Sequence, residues 1–84
     1  KGLNVVYHDK KQFDDGIRHH LIIKQEDGNV FDVIYFDGEN RELFNLSRIH
    51  NNSPIEKVRY FRDDYDFHHF EYVLTFIRKY LGEI

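Results

Sequence analysis

The chain has 84 residues, of which 40% are hydrophobic and 32% charged, and its formal net charge is −3 at pH 7. This length supports one domain, residues 1–84, with one modest core, and the net negative charge excludes an overall basic field of the kind that drives nonspecific nucleic-acid binding. The absence of cysteine excludes disulfides and thiolate nucleophiles, and it is typical of proteins in the reducing cytoplasm.

The first predicted element is a strand from Leu3 to Tyr7, and a polar, loop-like stretch follows from Lys10 to Gly16. Farther along, Asp27-Gly28 and Asp37-Gly38 predict hairpin turns, because both residue types tolerate positive φ angles. These turns separate three predicted strands of an antiparallel meander, His19 to Gln25, Val30 to Phe36 and Glu42 to Ile49. A fifth strand, Ile55 to Phe61, is predicted because apolar and polar residues alternate there again.

The C-terminal segment predicts an amphipathic helix, because its apolar residues recur at steps of three and four. The residues that share this face are Phe67, Phe70, Leu74, Ile77 and Leu81. Asp63, Asp64 and Asp66 precede the helix, where negative charge and N-capping side chains are favourable. The alternative is that these carboxylates bind the divalent cation of a nuclease, with His68 or His69 as the base. We favour the capping interpretation.

The strand from Val30 to Phe36 is apolar on both faces, and Asp32 is its one polar interruption. A strand of this kind is typical of the middle of a sheet that is covered on both sides. The predicted fold class is therefore α+β, with about five short antiparallel strands in a small barrel or strongly bent sheet and one C-terminal amphipathic helix.

The sequence does not indicate an enzyme. It contains no phosphate-binding glycine loop, no glycine-flanked serine nucleophile and no arrangement of serine, histidine and aspartate that indicates catalysis. The adjacent pairs His19-His20 and His68-His69 do not predict a metal site, because neighbours in a strand or a helix point in different directions. We therefore expect no catalytic residues, no metal and no cofactor.

The middle of the chain resembles a known family. The stretch from Gly28 to Tyr35, then Asp37-Gly38, then Phe44 to Ile49, resembles the hairpin of the WYL domain, a bacterial Sm-like small barrel of transcriptional regulators and some DNA-processing enzymes. Val30-Phe31-Asp32 stands where that family has Trp-Tyr-Leu, and the resemblance covers about half of the chain. It implies binding of nucleic acid or a nucleotide-like ligand at a basic, aromatic face, with Arg48 as the residue carried over.

The region from Arg41 to Arg62 is locally positive, with five basic and two acidic residues. Guanidinium and ammonium groups on neighbouring strands can contact phosphates, and an exposed aromatic ring can stack on a base. The residues predicted to bind nucleic acid are Arg41, Arg48, Lys57, Arg59, Tyr60 and Arg62. For Arg48 the alternative is a structural role at the strand end, paired with a carboxylate or lying over an aromatic ring.

The predicted function is that of a non-catalytic accessory domain of a larger DNA-processing or regulatory protein, such as a helicase, that binds nucleic acid or a nucleotide-like ligand. Because the chain begins at Lys1 and has no methionine, we expect a domain excised from a longer cytoplasmic protein. Its expected partners are nucleic acid and the domains of its parent protein, and we expect no contact with a membrane. The alternative is a structural or protein-interaction domain that docks on its parent chain or forms a homodimer, because the chain is rich in apolar residues for its size.

Overall fold

The structure, a computed structural model, describes residues 2–61 and 70–84, and it describes the side chains of these residues except 58–61. Five strands and one helix follow one another, namely β1 (Leu3–Phe13), β2 (Gly16–Gln25), β3 (Asn29–Gly38), β4 (Glu42–His50), β5 (Ser53–Phe61) and α1 (Glu71–Glu83). The strands form one antiparallel sheet in the order β1-β2-β3-β4-β5. The predicted α+β class, with five antiparallel strands and a C-terminal helix, is confirmed.

The described sheet is open rather than closed on itself. β1 and β5 stand at the two ends of the strand order, and among the described strands each pairs with a single neighbour. A small barrel is therefore not confirmed, and strong bending of the sheet stays a prediction.

The prediction of a polar loop from Lys10 to Gly16 is wrong. β1 continues to Phe13, and β2 begins at Gly16, so that Asp14 and Asp15 alone form the turn between them. The end of β1 is polar because it lies at an edge of the sheet, where its last five residues are exposed. Polar and lysine side chains are typical of edge strands.

The turn geometry explains two of the glycines. Gly28 has a φ of 99°, and its amide donates to the carbonyl of Gln25 at 3.1 Å in the turn between β2 and β3. Gly38 lies where the β1–β2 and β3–β4 turns meet, and a Cβ atom there would stand 3.0 Å from the carbonyl oxygen of Asp15 and 2.5 Å from the Phe36 ring. The amide of Glu39 donates to the same Asp15 oxygen at 3.0 Å, so the two turns are bonded to each other.

The core lies between one face of the sheet and α1. Alternate residues of the central strands point to this face because side chains alternate along a strand. The sheet contributes Leu21, Ile23, Phe31, Val33, Tyr35, Phe44 and Leu46, and the helix side contributes Phe70, Val73, Leu74 and Ile77. The predicted apolar helix face is confirmed for its described members, whereas Phe67 and the aspartates that precede the helix lie outside the described residues.

A polar contact also holds α1 against the sheet. Glu42 at the start of β4 accepts hydrogen bonds from the Tyr35 hydroxyl and from the Arg78 guanidinium, whose Nε lies 3.0 Å from Oε2. Burial, together with the hydrogen bond to Glu42, raises the pKa of Tyr35, and the same carboxylate raises the pKa of Arg78. Paired, hydrogen-bonded charges of this kind orient the end of the helix.

Replacement of Ile77 by alanine tests the packing of α1. Ile77 is fully buried, so Ile77→Ala should lower the free energy of unfolding by about 2–5 kcal/mol, the cost of removing buried methyl groups and leaving a cavity. Urea unfolding measures this change. The control Lys79→Ala lies on the exposed side of the same helix and should change the free energy by less than about 0.5 kcal/mol. An equal effect of the two substitutions would contradict the packing described.

Candidate functional site

One face of the sheet packs against α1, and no described element covers the other, which we call the open face. The strand register arranges its side chains in rows across the sheet; three successive rows lead towards the β1–β2 and β3–β4 turns, and a further row with Lys24, Val30 and Ile49 lies on their other side. The first row is Tyr7, Ile22, Asp32, Ser47 and Lys57; the second is Asp9, His20, Ile34 and Asn45; the third is Lys11, Arg18, Phe36 and Leu43. Apolar, aromatic and charged groups are therefore interleaved on one surface.

A cavity of about 260 Å³ lies at the end of the open face nearest the β1–β2 and β3–β4 turns. We call it the aromatic–arginine pocket, and its lining residues are Phe13, Asp15, Arg18, Ile34, Phe36, Arg41, Leu43 and Asn45. The Arg41 guanidinium carbon lies 4.6 Å from the centre of the Phe36 ring. The Arg18 guanidinium carbon lies 5.4 Å from the centre of the Phe13 ring. Both are cation–π distances.

The elements that bring these groups together are the two linked turns. Arg41 pairs with Asp15 across them, with Nη2 and Oδ2 3.1 Å apart. Phe13 and Phe36 have ring centres 6.3 Å apart, and Phe36 is buried whereas Phe13 is 37% exposed. A partly exposed aromatic ring beside guanidinium groups suits a planar, anionic ligand, because the ring offers stacking and the cations offer phosphate contacts.

A second depression adjoins the pocket on the open face. It is lined by His20, Asp32, Ile34, Asn45, Leu46, Ser47 and Lys57. Ile34 and Asn45, which are directly opposite each other on β3 and β4, border both depressions. The two depressions therefore adjoin across this pair, and we call them together the groove.

The structure places two of the predicted nucleic-acid-binding residues at the groove. Arg41 lines the aromatic–arginine pocket, and Lys57 lines the second depression. The backbones of Arg59 and Tyr60 pair with Asn45 and Phe44. The side chains of those two residues, and the whole of Arg62, lie outside what is described.

Arg48 lies away from the groove. It is paired with Glu56 across β4 and β5, whereas its neighbour Ser47 is paired with Lys57 on the open face. The Arg48 Nε atom lies 3.6 Å from Glu56 Oε1, and Nη1 donates to Asn29 Oδ1 at 3.4 Å. Asn29 also contacts His50, with 2.9 Å between Oδ1 and Nδ1. These contacts are those expected of a structural role for Arg48, paired with a carboxylate. Arg48 and Lys57 lie on opposite faces of the sheet and therefore do not form one basic surface.

Sequence reasoning missed three residues of the pocket, Phe13, Arg18 and Phe36. Phe13 fell in the predicted loop, and Arg18 fell before the predicted start of its strand. The sequence offers only a weak signal for them: Phe13 is an isolated aromatic residue among polar neighbours, and Arg18 follows Ile17 directly before the predicted strand. The cation–π contacts depend on the strand register, which composition does not report.

Two histidines meet on the helix side of the sheet. His8 Nε2 and His19 Nδ1 lie 2.9 Å apart, so that one ring nitrogen donates a hydrogen bond to the other. The rings of Tyr80 and Tyr35 lie beside them, with centres 5.6 Å from His8 and 6.2 Å from His19. Within the described residues no group of three or more histidine, cysteine or acidic side chains is placed to hold a metal ion.

Burial is the main reason that the pKa values of His8 and His19 are lowered from their ordinary value of 6.5. Lys10 lowers both pKa values further, whereas Asp9 raises that of His8 and Asp37 raises that of His19. His8 also lowers the pKa of His19, since two positively charged imidazoles would repel each other. The pair is therefore favoured in its neutral form.

Comparison with known proteins identifies no relative. Neither a family model, nor a curated protein, nor a solved structure matches the chain. Over residues 2–61 and 70–84, helix α1 lacks the length and apolar character that crossing a membrane requires.

The histidine pair predicts a dependence of stability on pH. Because the pKa values of His8 and His19 are lower in the folded state, the unfolded state binds more protons as the pH falls through 6.5. The free energy of unfolding should therefore be highest above about pH 7 and decline towards pH 5.5. Urea unfolding at several pH values measures it. His19→Gln should make the decline shallower, and an unchanged decline would show that other groups cause it.

Proposed function

We propose that this domain is a non-catalytic binding module whose open face holds single-stranded nucleic acid. The observation that carries the proposal is the aromatic–arginine pocket, in which the partly exposed ring of Phe13 offers a stacking surface beside the guanidinium groups of Arg18 and Arg41. Proteins that bind single strands combine these two features, because the cations follow the phosphates and each base has a face that can stack.

The charge of the open face supports this proposal. The rows of this face contain the cations Lys11, Arg18, Lys24 and Lys57 and the carboxylates Asp9 and Asp32. The face therefore has a small positive excess on a chain whose formal net charge is −3. A local excess of this kind gives moderate, salt-dependent affinity for a polyanion rather than strong nonspecific binding.

The proposal also concerns the protein of which this domain is a part. The resemblance of the β3–β4 region to the WYL domain supports an accessory role in a larger cytoplasmic DNA-processing or regulatory protein, such as a helicase. In that role the domain would hold a displaced or transient single strand while another domain acts on it.

Oligonucleotide titration tests the proposal. We expect a short single-stranded oligonucleotide to shift amide resonances around Phe13, Arg18 and Arg41 in two-dimensional NMR spectra, with weaker binding as salt increases. Phe13→Ala should weaken binding by about tenfold, the typical effect of removing one stacking ring.

The matched control is Tyr72→Ala on α1, because Tyr72 is also 37% exposed but lies on the helix side. Arg18→Ala should also weaken binding and reduce its salt dependence, because a phosphate contact is lost. Lys79→Ala is its control, because both substitutions remove one exposed cation. Equal effects of Phe13→Ala and Tyr72→Ala would contradict binding at the open face. Shifts centred on Arg48 would instead favour the strand-end site predicted from the sequence.

A second function, docking of a protein partner or a second copy of the chain, is favoured by one observation. Ile22, Ile34 and Leu43 are only half-buried on the open face, and apolar patches of this kind mark interaction surfaces when they are contiguous. Sedimentation of the domain over a range of concentrations separates the two functions. A mass that doubles with concentration, together with no oligonucleotide binding, would favour homodimerisation.

A further inference from the structure

A single carboxylate stands in the middle of the open face. Asp32 lies on the central strand β3, between Ile22 on β2 and Ser47 on β4. Its side chain is 46% exposed, so a ligand on the open face can reach it. A carboxylate at this position repels phosphates, so a nucleic acid on the open face would contact it through a base rather than through the backbone.

His20 holds this carboxylate in one orientation. His20 Nε2 lies 2.6 Å from Asp32 Oδ1, and the His20 side chain is itself 37% exposed. An ionised carboxylate has about four acceptor sites on its two oxygens. The contact with His20 occupies one site on Oδ1, which leaves the second site on Oδ1 and both sites on Oδ2 to accept hydrogen bonds from a ligand.

We propose that Asp32 makes the open face selective for guanine in a single strand, an inference that rests on the proposed nucleic-acid function. Guanine carries two adjacent donors on its Watson–Crick edge, N1–H and the N2 amino group. Two oxygens of one carboxylate match these donors. Thymine and uracil have a single N3–H between two carbonyl oxygens, which a carboxylate repels. Single-strand readers recognise bases at this edge.

The rest of the groove accommodates the flanking nucleotide. Asp32 and Phe36 are four residues apart on β3, which corresponds to about 13 Å along the strand. The base that Asp32 contacts is therefore not the base that lies against Phe13 at the pocket. Lys57 lies in the same row as Asp32, two strands away on β5, and lines the same depression, so it can contact a phosphate of the nucleotide that Asp32 binds.

The test compares short oligothymidylates that carry thymine, guanine or hypoxanthine at one central position. We expect the guanine oligonucleotide to bind about tenfold more tightly than the all-thymine one, the usual discrimination of a bidentate contact. Hypoxanthine lacks the N2 amino group and should give an intermediate affinity. Fluorescence anisotropy with the wild-type domain measures all three, so this part of the test requires no variant.

Asp32→Asn and the matched control Asp9→Asn then test whether Asp32 causes the preference for guanine. Both remove one carboxylate from the open face, and Asp9 lies opposite His20 in the second row. Both should slightly strengthen binding of the all-thymine oligonucleotide, because repulsion is reduced. Asp32→Asn alone should reduce the preference for guanine to less than about twofold.

Each remaining outcome overturns the inference. Equal wild-type affinities for the three oligonucleotides would overturn guanine selectivity while leaving the nucleic-acid function intact. Loss of the preference in Asp9→Asn as well would assign it to the general charge of the face. The absence of binding to any oligonucleotide would overturn the proposed function and this inference together.

Discussion

The register of β3 is the constraint on which the rest of the structure depends. β3 is the central strand and pairs along its length with β2 and β4. Its odd-numbered residues Phe31, Val33 and Tyr35 enter the core against α1, and the even-numbered Asp32, Ile34 and Phe36 belong to the open face. A slip of one residue would exchange the two sets, placing a carboxylate in the core and aromatic rings in solvent.

The two faces of the sheet therefore have different roles, one in stability and the other in the proposed binding. The helix side contains the closely packed aliphatic and aromatic residues, the Tyr35–Glu42–Arg78 contact and the neutral histidine pair. The open face contains groups whose hydrogen-bonding and ionic capacity is only partly used within the domain. Separation of this kind lets a small domain present polar groups to a ligand without weakening its single core.

Much of this fold could be predicted from the sequence, because its determinants are local. Asp27-Gly28 marks a hairpin turn, and steps of three and four mark the helix face that contains Leu74 and Ile77. The extension of β1 to Phe13 could not be predicted, since an exposed edge strand has the polar composition of a loop. The site could not be predicted in the same way, because it depends on which distant residues pair. Arg48 lies in the strand that was predicted, but only the register shows that it pairs with Glu56 and which face of the sheet it occupies.

The hydrogen bond between Glu39 and Asp15 joins two turns that are far apart along the chain. Gly38 fits between them because it has no side chain, and the Phe36 ring lies against it. An insertion in either turn would thus displace Asp15, Phe36 and Arg41, which line the aromatic–arginine pocket, as well as the turn itself. Asn51 and Asn52 form the β4–β5 turn at the opposite end of the sheet. Within residues 2–61 and 70–84, no hydrogen bond of this kind links that turn to the pocket. Engineered loops, tags or fluorophores are better introduced at that end.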